Sequence, residues 1–257
     1  MIREEFAFGE SCIHQFNPQF RIVGATLFSM VIALSEQMPT LITGLMIAIL
    51  FVCIARLDVR RVFKKLTAIW GFLLLLWLII PLTMTGQALW KLGPLTFTQP
   101  GVMLALNITL KANAILILIS ALIATMSLSV LGHGLEKLGI SAKLVLLLLL
   151  TYRYIFVIEQ EYHKLRRAAT IRSFRPGTNL HTYKTYAYLI GMLFVRAAER
   201  AQRVHQAMRC RGFNGRFYCL QEFTITSRDW IGALLMLLGI GILLFFEWGG
   251  PNWQWNL

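Results

Sequence analysis

Two short stretches hold the residues best suited to chemistry: Ile171-Arg172-Ser173-Phe174 and Cys210-Arg211-Gly212-Phe213. In each, an arginine stands where a long basic, amphipathic segment runs out. A guanidinium presents a planar fork of donors that grips a carboxylate through two parallel hydrogen bonds, which an ammonium cannot do. That chemistry is recognition of acidic groups on another protein rather than bond breaking. Singly, each arginine has an ordinary explanation: a cation at a helix C-terminus is favoured by about 0.3–1 kcal/mol, and membrane-proximal basic residues attract anionic lipid. The matched pair of endings points to a surface built to be gripped.

The remaining reactive side chains form no catalytic constellation. The sequence has no HExxH, GxSxG or GxxxxGK[ST] pattern, so any nucleotide that drives this chain must bind to a partner. Cys12 and His14 form a C-x-H pair of transition-metal ligand types, with no evident third ligand. The four cysteines, Cys12, Cys53, Cys210 and Cys219, show no CxxC spacing. His133 falls in a short basic connection, the wrong place for the serine–histidine pair of an intramembrane protease. Lys111 lies roughly 15 Å along its helix from Gly101, with Asn107 one turn earlier on the same face and Asn113 nearby. An amine that deep faces protein or water. It is read as a contact with a partner membrane subunit, as snorkelling to the interface, or as an internal hydrogen bond.

Composition sets the elements that must position these residues. Of the 257 residues, 57% are hydrophobic and 14% charged, and the mean hydropathy is +0.63; these are values of an integral membrane protein. The net charge is +13, but 16 of the 25 basic and only 5 of the 12 acidic residues lie between Ser127 and Arg228. That local excess is the bias of a cytoplasmic connection and not a nucleic-acid footprint. Met1–Pro18 carries three glutamates and no apolar core, unlike a signal peptide.

Five spans are predicted: Arg21–Leu34, Met38–Ala55, Thr67–Leu82, Gly101–Met126 and Trp230–Phe246. Arg56, Arg60, Arg61, Lys64 and Lys65 place the second connection, and with it the N-terminus, in the cytoplasm. Thr83–Pro100, with Trp90 and Phe97, reads as an outside loop, and the tail with Trp253 and Trp255 also lies outside. Lys143–Ile158 is ambiguous because Arg153 interrupts it; it reads as the membrane-embedded start of a long helix that slants back out. Within one membrane domain, 1–257, this gives four helices over 1–126, a cytoplasmic helical region over 127–228 and a last helix with its tail over 229–257.

Both long helices carry stripes. In the first, Ile155, Ile158, Tyr162, Leu165 and Ala169 share a face opposite Arg153, Gln160, Lys164 and Arg167, and Pro176-Gly177 stops it. The second, about Tyr186 to Arg211, aligns Leu193, Ala197, Ala201, Val204 and Met208, while Arg196, Arg200, Arg203 and Gln206 line another stripe. Its alanines suit close approach where the two helices cross. Gly212 suits a helix C-terminal cap.

At these residues the sequence resembles the transmembrane coupling subunit, or T component, of energy-coupling-factor importers, in its CbiQ-like cobalt/nickel branch. The two X-Arg-X endings carry the resemblance, with Tyr152-Arg153-Tyr154-Ile155 and Glu161, Leu135-Glu136-Lys137-Leu138-Gly139, and Ala207-Met208-Arg209-Cys210-Arg211-Gly212-Phe213. Asn17-Pro18-Gln19-Phe20-Arg21 is similar to an N-terminal Asp-Pro-Arg-x-Lys element, with three positions different. The resemblance implies an all-α integral membrane protein of about five to six transmembrane helices, plus two long crossed amphipathic cytoplasmic coupling helices. It implies a non-enzymatic scaffold in the cytoplasmic membrane with no cofactor of its own, ATP and Mg being bound by two ATP-binding-cassette subunits. Arg172 and Arg211 would meet acidic groups on those subunits, and the spans, including Asn107 and Lys111, would hold a separate substrate-binding membrane subunit. A self-sufficient metal permease using Cys12 and His14, or a membrane enzyme with an unrecognised site, would explain the composition but not the matched arginine endings.

Overall fold

The computed structural model describes residues 16–55, 57, 59–84, 88–92, 95–215 and 227–249. Cys12, His14, Cys219, Trp253 and Trp255 lie outside these. Eight helices appear among the described residues: α1 (Pro18–Leu34), α2 (Met38–Ile54), α3 (Val59–Thr83), α4 (Gln99–Leu122), α5 (Leu128–Lys137), α6 (Ala142–Ile171), α7 (Leu180–Cys210) and α8 (Ser227–Gly249). The all-α membrane class stands, with one small addition. The segment read as a plain loop contains an antiparallel hairpin, β1 (Ala88–Leu92) and β2 (Leu95–Thr98), with Leu92 opposite Leu95 and Trp90 opposite Phe97. The described residues form two compact units, one of α1–α4 with α8 and one running from Leu135 through α6 and α7.

The first unit is built round α4, which packs against α1, α2 and α3, while α8 lies on α1 and α2. Its core is apolar: Phe28 and Ile32 of α1, Leu41 and Ala48 of α2, Ala114 and Leu118 of α4, and Leu243 of α8 are all buried. Outward faces are equally apolar, with Leu74, Phe72 and Phe245 exposed, because their solvent is lipid and not water. Met38–Ala55, Gln99–Leu122 and Asp229–Gly249 are long and apolar enough to cross a bilayer; Pro18–Leu34 and Ile69–Thr83 are shorter apolar stretches. The span expected to run to Met126 ends as helix at Leu122. Where α3 turns into α4, the chains touch: a Cβ on Gly101 would lie 2.6 Å from Pro81 Cα, and Thr98 Oγ1 donates to the Pro81 carbonyl at 3.2 Å.

Polar groups fasten the ends of this bundle. At one end the Arg21 guanidinium, 1% exposed, donates to the Leu122 carbonyl from Nε at 3.1 Å and Nη2 at 2.8 Å and also reaches Thr125 Oγ1. Leu122 ends α4, so its carbonyl has no partner within the helix, and a cation there is favoured by the helix dipole. Beside it, the Asn17 side chain accepts from Gln19 N at 3.1 Å and caps α1, while Asn17 N donates to Asp229 Oδ1 at 3.1 Å. At the other end Glu247 holds the α1–α2 turn: Ser35 Oγ donates to its Oε2 at 2.5 Å, Glu36 N to its Oε1 at 3.1 Å, and Gln37 Nε2 to its carbonyl at 2.7 Å. These contacts make α1 and α8 parallel and α4 antiparallel to both. The chain therefore leaves α4 and enters α8 at the same end of the bundle, so the residues between make no net crossing.

In the second unit α6 is one continuous helix of 30 residues and α7 one of 31, each about 45 Å long. α6 is not among the helices apolar enough to cross, since Lys143, Arg153 and Glu159 interrupt its apolar run. α7 begins at Leu180, a turn and a half before the predicted start. His133, expected in a connection, sits inside the short helix α5.

Candidate functional site: two arginine-tipped helices

The two tips are closed by the same hydrogen-bonding pattern. α6 stops at Ile171, five residues before Pro176, because the chain turns back on itself: Ser173 N donates to the Thr170 carbonyl at 3.0 Å and Phe174 N to the Ala169 carbonyl at 3.1 Å. In α7, Gly212 N donates to the Arg209 carbonyl at 3.0 Å and Phe213 N to the Met208 carbonyl at 3.1 Å. These are Schellman closures, with Arg172 and Arg211 as the capping residues and the following residue left-handed. Ser173 has φ 64° and Gly212 has φ 75°. Glycine adopts that conformation without strain, whereas a residue with a Cβ costs about 1–2 kcal/mol there. α5 closes in the same way at Gly139, through Ile140 N to the Leu135 carbonyl at 3.2 Å, but its capping position is Leu138. What distinguishes the α6 and α7 ends is the arginine in the cap followed two residues on by phenylalanine. Arg172, Arg211, Ser173 and Cys210 are exposed, and Ile171 is 84% exposed. Phe174 folds back on the start of α7, edge-on to Tyr186 with ring centroids 5.7 Å apart.

The crossing of α6 and α7 is ionic, which the sequence did not reveal. Glu161, its side chain 15% exposed, accepts from Arg196 Nη1 and Arg200 Nη2, each at 3.1 Å, and from Lys164 Nζ of its own helix at 3.1 Å. Arg196 and Arg200, read as one stripe of α7, are thus its contact with α6, while Ala201 of the alanine stripe is exposed. In α6 Leu165 is buried, but Ile155 and Ile158 stay exposed. The hydrogen bond from Lys164 and then that from Arg196 hold the Glu161 carboxyl below the ordinary glutamate value. A depressed carboxyl stabilises the crossing above its unfolded pKa, and that contribution disappears as pH falls through the lowered value. Glu161→Gln should therefore loosen the crossing at neutral pH as acid does for the parent. Spin labels on exposed sites of α6 and α7 would show a broadened distance distribution; an unchanged one at pH 7 would count against the assignment.

Lys111 donates from Nζ to the Ala33 carbonyl at 3.0 Å, near the end of α1; of its three readings, this is the internal hydrogen bond. Asn107 Oδ1 is buried without a partner. Asn113 Nδ2 donates to the Thr109 carbonyl at 2.8 Å, and Thr109 Oγ1 accepts from Trp77 Nε1 at 2.9 Å, joining α3 to α4. No group of three or more metal-ligating side chains occurs among the described residues.

Apolar helices long enough to cross a bilayer, together with two exposed, arginine-capped amphipathic helices, make this an integral membrane protein with a large polar helical unit. A family model described as cobalt transport protein, CbiQ, matches residues 9–219, and the chain belongs to that family. It is 29% identical over 95% of both chains to an energy-coupling factor transporter transmembrane protein of Acidaminococcus fermentans. A protein of the same description from Brevibacillus brevis is 27% identical over 90% of this chain and 92% of its own. A putative ABC transporter ATP-binding protein of Bifidobacterium longum is 26% identical over 91% of this chain, the match occupying 32% of that protein. The kinship expected from the arginine endings therefore holds.

Proposed function

We propose that the chain is the transmembrane coupling subunit of an energy-coupling-factor importer. Arg172 and Arg211 would transmit ATP-driven motion of two partner ATPases to a substrate-binding membrane subunit. The observation that carries this reading is the identical closure of the two helix ends, which leaves one guanidinium exposed at each. Acidic groups on the ATPases would bind those guanidiniums, with Ile171, Ser173, Cys210 and Gly212 forming the rim of each contact. The Glu161 pivot lets movement at one tip turn the other helix, the kind of packed two-state element that amplifies small shifts. ATP and Mg belong to the partners, and the chain itself is no enzyme.

The relative that is named for ATP binding and contains a homologous stretch supports a working association of this fold with an ATPase. The family description favours cobalt, or the chemically similar nickel, as the ion; the substrate-binding subunit would select it. The face of α4 that carries Asn107 and Lys111 would meet that subunit. The N-terminus and the α6–α7 unit would lie in the cytoplasm, an orientation that the basic residues flanking the apolar helices support.

The test is affinity capture of the tagged full chain in mild detergent, with mass spectrometry of what accompanies it. Two ATP-binding-cassette polypeptides, or two copies of one, together with a small membrane protein are expected. Recovery of the chain alone from cells that express the assembly would refute the reading.

A further inference from the structure

The division between the two compact units falls inside a helix. The bundle runs to Gly134 and the second unit starts at Leu135, both within α5, which is unbroken from Leu128 to Lys137. On the bundle side α5 is seated against the first turn of α1. A Cβ on Gly134 would lie 2.9 Å from Ile22 Cδ1 and 3.1 Å from Pro18 Cβ, so the backbone of α5 touches that turn directly. Gly132 and Gly134 are both buried. A glycine inside a helix costs about 1 kcal/mol relative to alanine, and such a residue is kept where packing demands it. The same turn of α1 is tied to the chain once more just ahead of α5, where Arg21 donates to Thr125 Oγ1.

At its other end α5 has no slack. Gly139 N donates to the Glu136 carbonyl at 3.0 Å and Ile140 N to the Leu135 carbonyl at 3.2 Å. Ser141 already begins α6, its carbonyl accepting from Leu144 N at 2.9 Å and Val145 N at 3.2 Å. The closure of α5 thus runs straight into the first turn of α6. We propose that α5 is the lever by which movement of α6 reaches the bundle, with Gly134 the positioning residue that seats it on Pro18 and Ile22. This rests on the coupling role proposed above. A shift at the start of α6 carries α5 with it through the closed turn, and α5 presses on the first turn of α1. From there Arg21 passes the displacement to the end of α4 and Asn17 passes it to the start of α8. Close-packed elements hand on a displacement instead of absorbing it.

The full chain is captured with its ATPases in mild detergent, and amide hydrogen exchange is compared with and without a non-hydrolysable ATP analogue. In the unaltered chain, nucleotide should change exchange in peptides covering both helix tips, 168–175 and 207–214, and in the peptide covering 17–25. Gly134→Ala adds the methyl group that the seat has no room for. It should leave the response at the tips intact and lower the response at 17–25 by at least about twofold, the lower end of what single substitutions in coupling networks produce. Adding Ile22→Val, which deletes the Cδ1 atom nearest the new methyl, should restore it. Gly241→Ala, where a Cβ meets nothing within 4 Å, should change nothing. A merely structural effect would raise exchange at 17–25 with and without nucleotide alike, leaving the difference between the two states unmoved. A full response at 17–25 in Gly134→Ala, or a loss that Ile22→Val does not repair, would overturn the lever. So would an unaltered chain in which the tips respond and 17–25 does not. If no ATPases are captured, or the tips themselves do not respond, the coupling role falls and the lever falls with it. Should Gly134→Ala fail to fold, Ile22→Ala decides, since it removes one wall of the seat and leaves α5 unaltered. A lowered response at 17–25 with responsive tips upholds the lever, and an undiminished one refutes it.

Discussion

Changing Arg172 and Arg211 together to alanine is expected to abolish ATP-driven uptake by the assembled importer while leaving the helices formed. Both side chains are exposed, and the closures that end α6 and α7 use backbone groups only, so truncation removes the guanidiniums without removing the caps. Losing one partner of a charge pair that is desolvated on docking costs about 2–5 kcal/mol, a factor of roughly 30 or more in association. Two such losses should separate the ATPases from the membrane component at cellular concentrations. Single variants should retain partial uptake, and the two lysine variants should recover less than the charge alone would suggest, because an ammonium lacks the fork. Uptake of labelled cobalt or nickel in cells, with co-purification of the ATPases, reads both effects. Undiminished uptake in the double alanine variant would remove the tips from the mechanism.

The second large effect is expected at Arg21. Its guanidinium joins the start of α1 to the end of α4, close to the start of α8 held through Asn17 and Asp229. Arg21→Ala leaves the Leu122 carbonyl without its donor in a buried place, worth about 1–3 kcal/mol, and opens a cavity the size of an arginine, which adds to the cost. A loss of about 3 kcal/mol or more should appear as a markedly lower melting temperature of the detergent-purified chain. Arg21→Lys should fall between, keeping the charge but offering a single point of contact. Melting of Arg21→Ala at the parent temperature would show that the contact is not what holds these ends together.

The bundle was legible from the apolar runs because their length and the absence of charge are the whole requirement for crossing lipid. Helix ends were legible where a residue type announces them, as Gly212 does. The end of α6 at Arg172 was legible too, but its left-handed closure was not, because Ser173 is an unusual occupant of such a position and Pro176-Gly177 offered a more conspicuous stop further on. The hairpin at β1 and β2 had a signal that went unused: Gly93-Pro94 between Lys91-Leu92 and the alternating Leu95-Thr96-Phe97-Thr98. Glu161 was visible as one of few acids among many bases, but the arginines that would meet it depend on where and at what angle two helices cross. Arg21 stood out only through family resemblance, since its partner is a backbone carbonyl 101 residues away and a carbonyl leaves no mark in a sequence.

The shared geometry of the two helix ends reaches beyond this chain. Because each arginine leaves its helix at the same step of the same six-residue knot, each is launched at the same bearing from its own axis. Under the proposed coupling role, a socket that reads only the arginine and its bearing would accept either tip. Duplicate copies of a single hydrolase could take both tips as readily as a diverged pair, and the number of genes needed to complete the machine is not dictated from this side of the contact.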